Sequence, residues 1–273
     1  MEIKIVDNCF SHVTYSSLQQ STIFKWLRTT ETKDICVFTD NMILNAHSYP
    51  DKIKIAWLIE PRAIQNKIYE YIKNNYEIFD YIFTFDNELL KINDKFIFYP
   101  FGGCWINKEE QKIYDKSILL SIIASNKRET IGHKLRHEVI KYLKNKNVSI
   151  DTFGFGYKRV ENKIEALKEY KFSIVIENSK QDYYFTEKLI DCFRTGVVPI
   201  YWGCPSIGDY FNLDGMIIFN SLDDLDSIIS EINDEKYDKM YPAIQDNFLN
   251  SENYLLADDW LCKKIKIIQN ESN

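Results

Sequence analysis

The sequence predicts an α/β protein with two Rossmann-like halves that face each other across a cleft. Apolar, strand-like runs and helical patterns alternate from one end of the chain to the other, which is typical of layered α/β folds. A polar stretch at residues 107–116 interrupts this alternation. The 273 residues are 45% hydrophobic and 15% aromatic, enough for two cores of ordinary size. We therefore expect domains at residues 1–110 and 111–273.

Each half is expected to contribute five strands with helices between them. In the first half, the strands are expected at residues 2–6, 34–38, 52–58, 81–85 and 95–99. Its helical patterns lie at residues 22–28 and 64–78. In the second half, the strands are expected at residues 118–124, 149–153, 172–176, 197–202 and 215–219. Its helices are expected at residues 132–144, 161–170, 186–196 and through most of 222–268.

Composition excludes several classes of protein. The net charge is −6 with acidic and basic residues mixed, which argues against nucleic-acid binding because that needs a basic face. No run approaches the ~18 apolar residues needed to cross a bilayer, and residues 1–10 resemble a strand more than a signal peptide. The six cysteines lack CxxC spacing, so we expect reduced cytosolic thiols.

These observations predict a cytoplasmic protein. Its basic, apolar end at residues 263–268 would allow peripheral contact with the inner face of an anionic membrane. The last turn of a packed helix is the simpler interpretation of the same residues.

One βαβ unit, residues 172–212, carries the strongest functional signal. An apolar strand ends at Ile176 and a polar loop follows it. A helical pattern then runs from Thr186 to Gly196, and Gly203 closes a second strand. The loop lies at the carboxyl end of the first strand, where open α/β sheets bind ligands. A helix N-terminus beside a lysine is a suitable binding site for a diphosphate.

Three motifs in this unit resemble the signature of glycosyltransferase family 10, the α1,3/4-fucosyltransferases. They are ENS at residues 177–179, YFTEK at 184–188 and VPIYWG at 198–203. The resemblance implies a GT-B fold, in which the last helix often crosses back onto the first half. The donor-binding half would be residues 111–273, and residues 1–110 would form the acceptor side.

The resemblance also implies the reaction. It is an inverting transfer of L-fucose from GDP-fucose to a glycan hydroxyl, with an α1,3 linkage to a GlcNAc- or Glc-type sugar. The partners would be the nucleotide sugar and an oligosaccharide or glycolipid, and no cofactor is required.

The motif residues divide into donor contacts and loop residues. By resemblance, the donor contacts are Asn178, Tyr184, Glu187 and Lys188. A lysine in the first turn of a helix gains nothing from the helix dipole, so Lys188 indicates an anionic ligand unless it is a solvated surface lysine. Glu187 suits sugar or ribose hydroxyls or is an ordinary first-turn carboxylate, and Tyr184 could equally be a core aromatic. Glu177 can organise the loop, and Thr186 can be the N-cap of the helix.

A second basic element lies upstream of this unit. Ser125 and Asn126 close a strand, and Arg136 follows on the next helix with Leu143 seven residues later. The family shows the same succession, which makes Arg136 the candidate for the diphosphate because its planar fork suits phosphate oxygens. The long spacer leaves Arg128 as the alternative, and a solvated basic helix face is the ordinary explanation.

The candidate general base is Glu60. It follows a strand, and Pro61 after it keeps Glu60 out of the α-helical conformation. Many members of the family carry a glutamate shortly before a proline at this place, and an inverting transfer needs one base for the acceptor hydroxyl. A surface carboxylate at a strand end remains the ordinary interpretation. Asp40 and Asp86 also end strands, and each could contact the acceptor.

No residue pattern predicts a metal site. The triplet Asp224-Leu225-Asp226 mimics the DxD motif of another transferase class, but it lies in a helical pattern and is interpreted as solvated. The four histidines lack ligand spacing. Lysine and arginine are therefore expected to stabilise the leaving diphosphate.

Three other functions fit parts of the pattern. The same site would accept another GDP-deoxyhexose or GDP-L-galactose, because few contacts read the sugar. A non-catalytic protein that binds a sugar nucleotide or a glycan could keep the same donor loop. A GT-B transferase of another type, such as a heptosyltransferase, fits the fold but explains the motif spacing poorly.

Overall fold

The computed structural model describes residues 1–29 and 33–271, the last four of these by backbone alone. The chain forms two compact units. One is Met1–Gly103 together with the chain from Leu256 onward, and the other is Cys104–Leu255. Each has its own parallel sheet, which confirms the predicted α/β class with two Rossmann-like halves of the GT-B type. The first unit ends at residue 103, whereas the sequence pattern placed the boundary at residue 110.

The described residues of the first unit form a sheet of six parallel strands. Their bounds are Glu2–Val6 (β1), Lys25–Leu27 (β2), Ile35–Thr39 (β3), Ile53–Trp57 (β4), Tyr81–Thr84 (β5) and Phe96–Phe98 (β6). Their order is β2-β1-β3-β4-β5-β6. The chain adds β2 on one side of β1 and the later strands on the other side, so the strand order reverses between β1 and β3. Helix α1, Arg62–Asn75, packs Ile68, Tyr69 and Ile72 into the core.

The expected helix at residues 22–28 is wrong, because this segment contains strand β2. Phe24 and Trp26 are buried while Lys25 between them is exposed, which is the alternation of a strand. The Phe24 and Trp26 rings also contact each other, with centroids 4.7 Å apart. Seven residues are too few for a stable helix without strong packing, and pairing with β1 decides the outcome.

The last helix of the chain, Ala257–Glu271, belongs to the first unit. Its buried Asp258 accepts hydrogen bonds from the indole Nε1 of Trp26 at 2.6 Å and from the backbone N–H of Ser16 at 3.1 Å. Trp260 packs edge-on against Phe83, with ring centroids 6.2 Å apart. These contacts join residues more than 170 positions apart in the sequence.

The basic end of the chain is part of this helix. Ile265 is buried, and Lys264 lies over the Trp260 ring with its Nζ 5.3 Å from the centroid. The side chain of Ile268 lies outside the described residues. Within the described chain, none of the helices is both long and apolar enough to span a bilayer.

The second unit is built on five parallel strands. Their bounds are Ile118–Ile123 (β7), Asp151–Phe153 (β8), Tyr170–Ile176 (β9), Val198–Trp202 (β10) and Ile217–Ile218 (β11). The order is β11-β10-β9-β7-β8. Read from the β8 edge, with β7 counted as the first strand, this is the order 2-1-3-4-5. A doubly wound sheet of this order binds its ligand where the order reverses, which here is between β7 and β9.

Helices cover both faces of this second sheet. Their bounds are Ile131–Asn145 (α2), Glu187–Phe193 (α3), Leu222–Glu231 (α4) and Asp234–Asn250 (α5). On one face, Ile174 of β9 packs in a cluster with Leu143 of α2. On the other, Val175 of β9 packs in a cluster with Leu189 and Ile190 of α3. A central parallel strand is buried on both faces, as all seven residues of β9 are.

The expected helix at residues 161–170 is also wrong. Only Lys163–Ala166 forms a helical turn, of the 3-10 type, and a capping box between Asn162 and Glu165 caps its N-terminus. Tyr170 already belongs to β9 and pairs with Ile118 of β7. Pairing of this central strand overrides the local helical pattern.

Candidate functional site

A cavity of about 280 Å³ lies at the β7–β9 switch point of the second unit. Its volume is close to the lower end of the range for small-molecule sites. Four of the predicted site residues line it together: Ser125, Arg136, Glu187 and Lys188. These residues come from the end of β7, from α2 and from the start of α3. The geometry therefore unites the upstream basic element with the signature loop.

Arg136 is held at the end of β9 by backbone contacts. Only 5% of it is exposed, and its Nε donates to the carbonyl of Ile176 at 2.9 Å. Its Nη2 donates to the same carbonyl and to Oδ1 of Asn178 at 3.0 Å. Burial lowers the pKa of Arg136, and the cost of burying a charge is offset where an anion or several acceptors face it.

The close approach of α2 to the signature loop requires a glycine. The N–H of Gly132 donates to the carbonyl of Asn178 at 3.1 Å. A Cβ at Gly132 would lie 1.7 Å from the carbonyl oxygen of Glu177. The missing side chain thus lets α2 carry Arg136 to the cavity.

Glu177 organises the signature loop, as the sequence allowed. It is 0% exposed. Its carboxylate accepts from the backbone N–H of Thr186 at 2.9 Å and from the Thr186 hydroxyl at 2.8 Å. Thr186 in turn is the N-cap of α3. A Cβ on Gly203 would meet Cγ of Glu177 at 2.6 Å, which explains the glycine that ends the third motif.

Lys188 lies among oxygen acceptors at the start of α3. Its Nζ is 2.9 Å from Oγ1 of Thr186, 3.3 Å from Glu187 and 3.5 Å from Glu177. The helix has seven residues, and the Thr186 hydroxyl accepts from the backbone N–H of Lys188. The side chains, more than the end of this short helix, are therefore what the site offers to an anion.

Two site residues were missed by the sequence analysis. Lys163 lines the cavity, and its Nζ lies 2.5 Å from Oδ2 of Asp191 and 3.9 Å from Oε1 of Glu187. Asp191 follows Glu187 by one helical turn, a spacing that could have suggested a shared partner. Lys163 lies in the segment that was expected to be an ordinary helix, and no motif marks it.

The remaining residues that were predicted to bind the donor differ in their burial and in their distance from the cavity. Asn178 bonds to Arg136 and so belongs to the site. Tyr184 is 1% exposed and is a core aromatic, the alternative that the sequence left open. Asn126 is exposed, and Arg128 lines a separate basic depression with Lys134. Of the two arginines, only Arg136 lines the cavity.

Glu60 lies at the carboxyl edge of the sheet of the first unit. Its backbone N–H lies 3.3 Å from both carboxylate oxygens of Asp40, and its carbonyl accepts from the Tyr69 hydroxyl at 2.9 Å. The side chain is half-buried. The backbone of Glu60 is therefore held from two directions.

Asp40 is the centre of this arrangement. It is 0% exposed and has a φ of 39°, a left-handed conformation that costs energy for a residue other than glycine. It accepts from the Ile59 N–H at 2.9 Å and from the Cys9 thiol at 3.0 Å. Burial raises its pKa to about 7. Cys9 follows β1 and Asp40 follows β3, so they meet at the switch point of the first sheet.

Asp40 and Asp86, which the sequence allowed to contact an acceptor, are instead buried with partners of their own. Asp40 is fully enclosed, as described above. Asp86 is buried in an ion pair whose two oxygens accept from Nε and Nη2 of Arg62 at 3.2 and 3.0 Å. Both carboxylates have structural partners because each ends a strand beside a turn that needs acceptors.

Among the described residues, no three His, Cys, Asp or Glu side chains form a group that could hold a metal ion. Asp224 caps α4 through the Ser221 backbone N–H. Asp226 pairs with Lys146 at 3.1 Å on the surface. His133 bonds to the backbone of Thr130 in a capping box.

A family profile described as "Glycosyltransferase family 10 (fucosyltransferase) C-term" matches residues 113–270, more than half of the chain. The chain belongs to glycosyltransferase family 10. It is 39% identical over 82 residues to "Alpha-(1,3)-fucosyltransferase FucT" of Helicobacter pylori. It is 35% identical over 82 residues to "GDP-fucose protein O-fucosyltransferase 3" of Bos taurus. Each match covers 30% of this chain and 16% of the relative.

The fold of this family 10 chain is also similar to solved structures. The "Crystal Structure of alpha1,3-Fucosyltransferase with GDP" has a TM-score of 0.53 and 21% identity, covering 80% of this chain and 72% of that chain. At this identity the likeness shows the fold.

Proposed function

We propose that this chain transfers L-fucose from GDP-fucose to a glycan hydroxyl with inversion at the anomeric carbon. The observation that carries the proposal is the cluster of Arg136 and Lys188 in one cavity at the β7–β9 switch point. Both residues come from the family's motifs. The acceptor oxygen forms a bond to the anomeric carbon, the bond from that carbon to the diphosphate oxygen breaks, and a base takes the hydroxyl proton.

The donor side neutralises the leaving diphosphate. Negative charge grows on the phosphate oxygens as the sugar departs, and cations already in place stabilise it without reorganisation. Arg136 supplies a positive charge that its contacts with Ile176 and Asn178 hold in place, and Lys188 supplies a second positive charge. Glu187 accepts hydrogen bonds from sugar or ribose hydroxyls, as a charged acceptor does well.

Glu60 is the proposed base. Its place at the carboxyl edge of a doubly wound sheet supports this role, because ligands of such sheets bind at that edge. Its backbone N–H donates to Asp40 and its carbonyl accepts from Tyr69, which supports the role too, since a base must be held in a defined position. We expect Glu60→Gln to lower kcat about 100- to 10,000-fold while GDP binding persists. Unchanged turnover would remove Glu60 from this role.

The acceptor and its linkage are open to test. An α1,3 linkage to a GlcNAc- or Glc-type sugar is the first choice. One relative is named as a protein O-fucosyltransferase, so a protein hydroxyl is the second. A cytoplasmic location, contact with a membrane, a glycolipid acceptor and another GDP-sugar as donor stay predictions.

Mass spectrometry of products tests the reaction. The purified chain is incubated with GDP-fucose and a panel of glycans and folded proteins, and product anomers are assigned by NMR. We expect one added deoxyhexose in the inverted configuration. Preference for a UDP-sugar over every GDP-sugar would overturn the donor assignment. Binding of GDP-fucose without transfer to any acceptor would favour a non-catalytic protein.

A further inference from the structure

Lys163 lines the cavity and makes a close ion pair with Asp191, yet no motif marks it. Its Nζ lies 2.5 Å from Oδ2 of Asp191, and Asp191 is 0% exposed. The other oxygen of Asp191 accepts from the Trp105 backbone N–H at 2.7 Å. The Asp191 carboxylate is thus held in place by the backbone, and its ion pair restricts the position of Lys163.

The pair continues a row of alternating charges along the cavity. The order is Glu177, Lys188, Glu187, Lys163 and Asp191, with successive N–O distances of 3.5, 3.3, 3.9 and 2.5 Å. Both end carboxylates are 0% exposed in their side chains, while Lys188, Glu187 and Lys163 keep 26, 23 and 21% exposure. The three middle groups are therefore the ones a ligand can reach.

Glu187 depends on both lysines. It and Asp191 are four residues apart on α3, where like charges repel, and Lys163 lies between them. Burial opposes the charged form of Glu187, but attraction by Lys188 and Lys163 outweighs it and lowers its pKa to about 2. Burial also opposes the charge on Lys163, yet Asp191 and Glu187 outweigh it and raise the pKa of Lys163.

We propose that Lys163 is a positioning residue for the donor: anchored on Asp191, it holds the Glu187 carboxylate toward the cavity, where Glu187 binds a hydroxyl of the nucleotide sugar. This inference rests on the proposed function of the site. Lys188 is the lysine proposed above for the diphosphate, whereas the Nζ of Lys163 lies between the carboxylates of Asp191 and Glu187. Removing Lys163 would let Glu187 turn away from Asp191 or toward Lys188.

Calorimetric binding of GDP-fucose to the full chain tests the proposal. We expect Lys163→Met to weaken binding roughly tenfold, as for the loss of one strongly coupled contact, and Lys163→Arg to restore most of it. Glu187→Gln should weaken binding similarly. Lys163→Met combined with Glu187→Gln should be no worse than Glu187→Gln alone, because both act through one carboxylate. Lys141→Met, an exposed lysine of α2 outside the cavity, is the matched control.

A second variant separates positioning from stability. Lys163→Met leaves the buried Asp191 unpaired and can unfold the chain, whereas Lys163→Met with Asp191→Asn removes both charges. If Lys163 only neutralises Asp191, this pair of substitutions restores normal affinity and the proposal fails. If Lys163 positions Glu187, affinity stays roughly tenfold low although thermal stability recovers.

The pH dependence of binding gives an independent readout. Glu187 binds as a carboxylate, so its contribution is lost as pH falls through its pKa. Without Lys163 that pKa rises toward its ordinary value, and the loss of affinity on acidification should begin at higher pH than in the unsubstituted chain. Identical acid limbs would overturn the proposal.

The outcomes also separate this inference from the proposed function. If Lys188→Ala and Glu187→Gln both leave GDP-fucose binding unchanged, the donor site itself is wrongly placed. If those two weaken binding while Lys163→Met with Asp191→Asn does not, the role of Lys163 alone is refuted.

Discussion

Single residues of the family 10 signature have separable physical tasks. Glu177 ties the loop to the start of α3 through Thr186. Lys188 and Glu187 face the cavity. The motif therefore mixes residues that shape the loop with residues that are free to meet a ligand. Replacing a shaping residue should lower stability and binding together, whereas replacing a residue that faces the cavity should lower binding more than stability.

Lys188→Ala tests a facing residue. The side chain contributes a charge to the cavity and pairs with the buried Glu177 at 3.5 Å, so we expect GDP affinity to fall about 10- to 100-fold with some loss of thermal stability. Titration calorimetry with GDP measures the affinity, and Lys141→Ala is the control. Unchanged GDP affinity would contradict the proposed cavity.

Asp40 should make stability depend on pH. Its pKa rises from 3.8 to about 7 on folding, chiefly through burial. The folded chain thus binds a proton that the unfolded chain releases between these values, and its stability falls as pH rises from about 4 to 7. We expect Asp40→Asn to remove a fall on the order of 2–4 kcal/mol. Urea titrations of both proteins at pH 4.5 and 7.5 measure the difference, and parallel pH dependences would contradict it.

At the scale of elements, α2 and the end of β9 build the site together. Gly132 lets the helix contact the loop backbone, and this contact determines where α2 holds Arg136. The two segments that were wrongly predicted as helices show that sheet pairing can override a local helical pattern. Residues 22–28 and the end of residues 161–170 lie next to parallel partners, β1 and β7. Strand pairing across the sheet outweighed a local propensity that spans only about two or three turns.

Gly132→Ala tests the approach of α2. The added Cβ meets a backbone oxygen, which cannot move aside as a side chain can. We expect a loss of about 2–4 kcal/mol in the free energy of unfolding and a weaker affinity for GDP. Gly208→Ala is the control, since its Cβ would meet only the flexible end of Leu213 at 3.2 Å. Equal stabilities of the two variants would show that α2 can shift at no cost.

At the scale of the whole molecule, the two units repeat one plan. Each sheet is parallel and reverses its strand order between its first and third strands in chain order, and each candidate site lies at the carboxyl edge of its sheet. Arg136 and Lys188 lie in one unit and Glu60 in the other. The chain returns to the first unit at its end, where the last helix packs on Trp26 and Phe83.

Asp258→Ala tests this return of the chain. It leaves the Trp26 indole N–H and the Ser16 N–H buried without their acceptor, so we expect a loss of about 2–4 kcal/mol. Urea denaturation followed by tryptophan fluorescence measures it. Asp223→Ala, an exposed carboxylate in the first turn of α4, should cost less than about 1 kcal/mol. Equal losses would show that the last helix does not stabilise the first unit.

The α/β class, most strands and the family motifs follow from the sequence alone, because strand, loop and helix spacing within one βαβ unit is a local property. The pairings that make the site were decided by the tertiary structure. Arg136 meets Asn178 and Lys163 meets Asp191 because β7, β8 and β9 are neighbours in one sheet. Asp40, whose place after a strand allowed contact with an acceptor, is buried and accepts from the Glu60 N–H. Contacts between distant residues depend on which strands become neighbours, and that choice is made by burial over the whole unit.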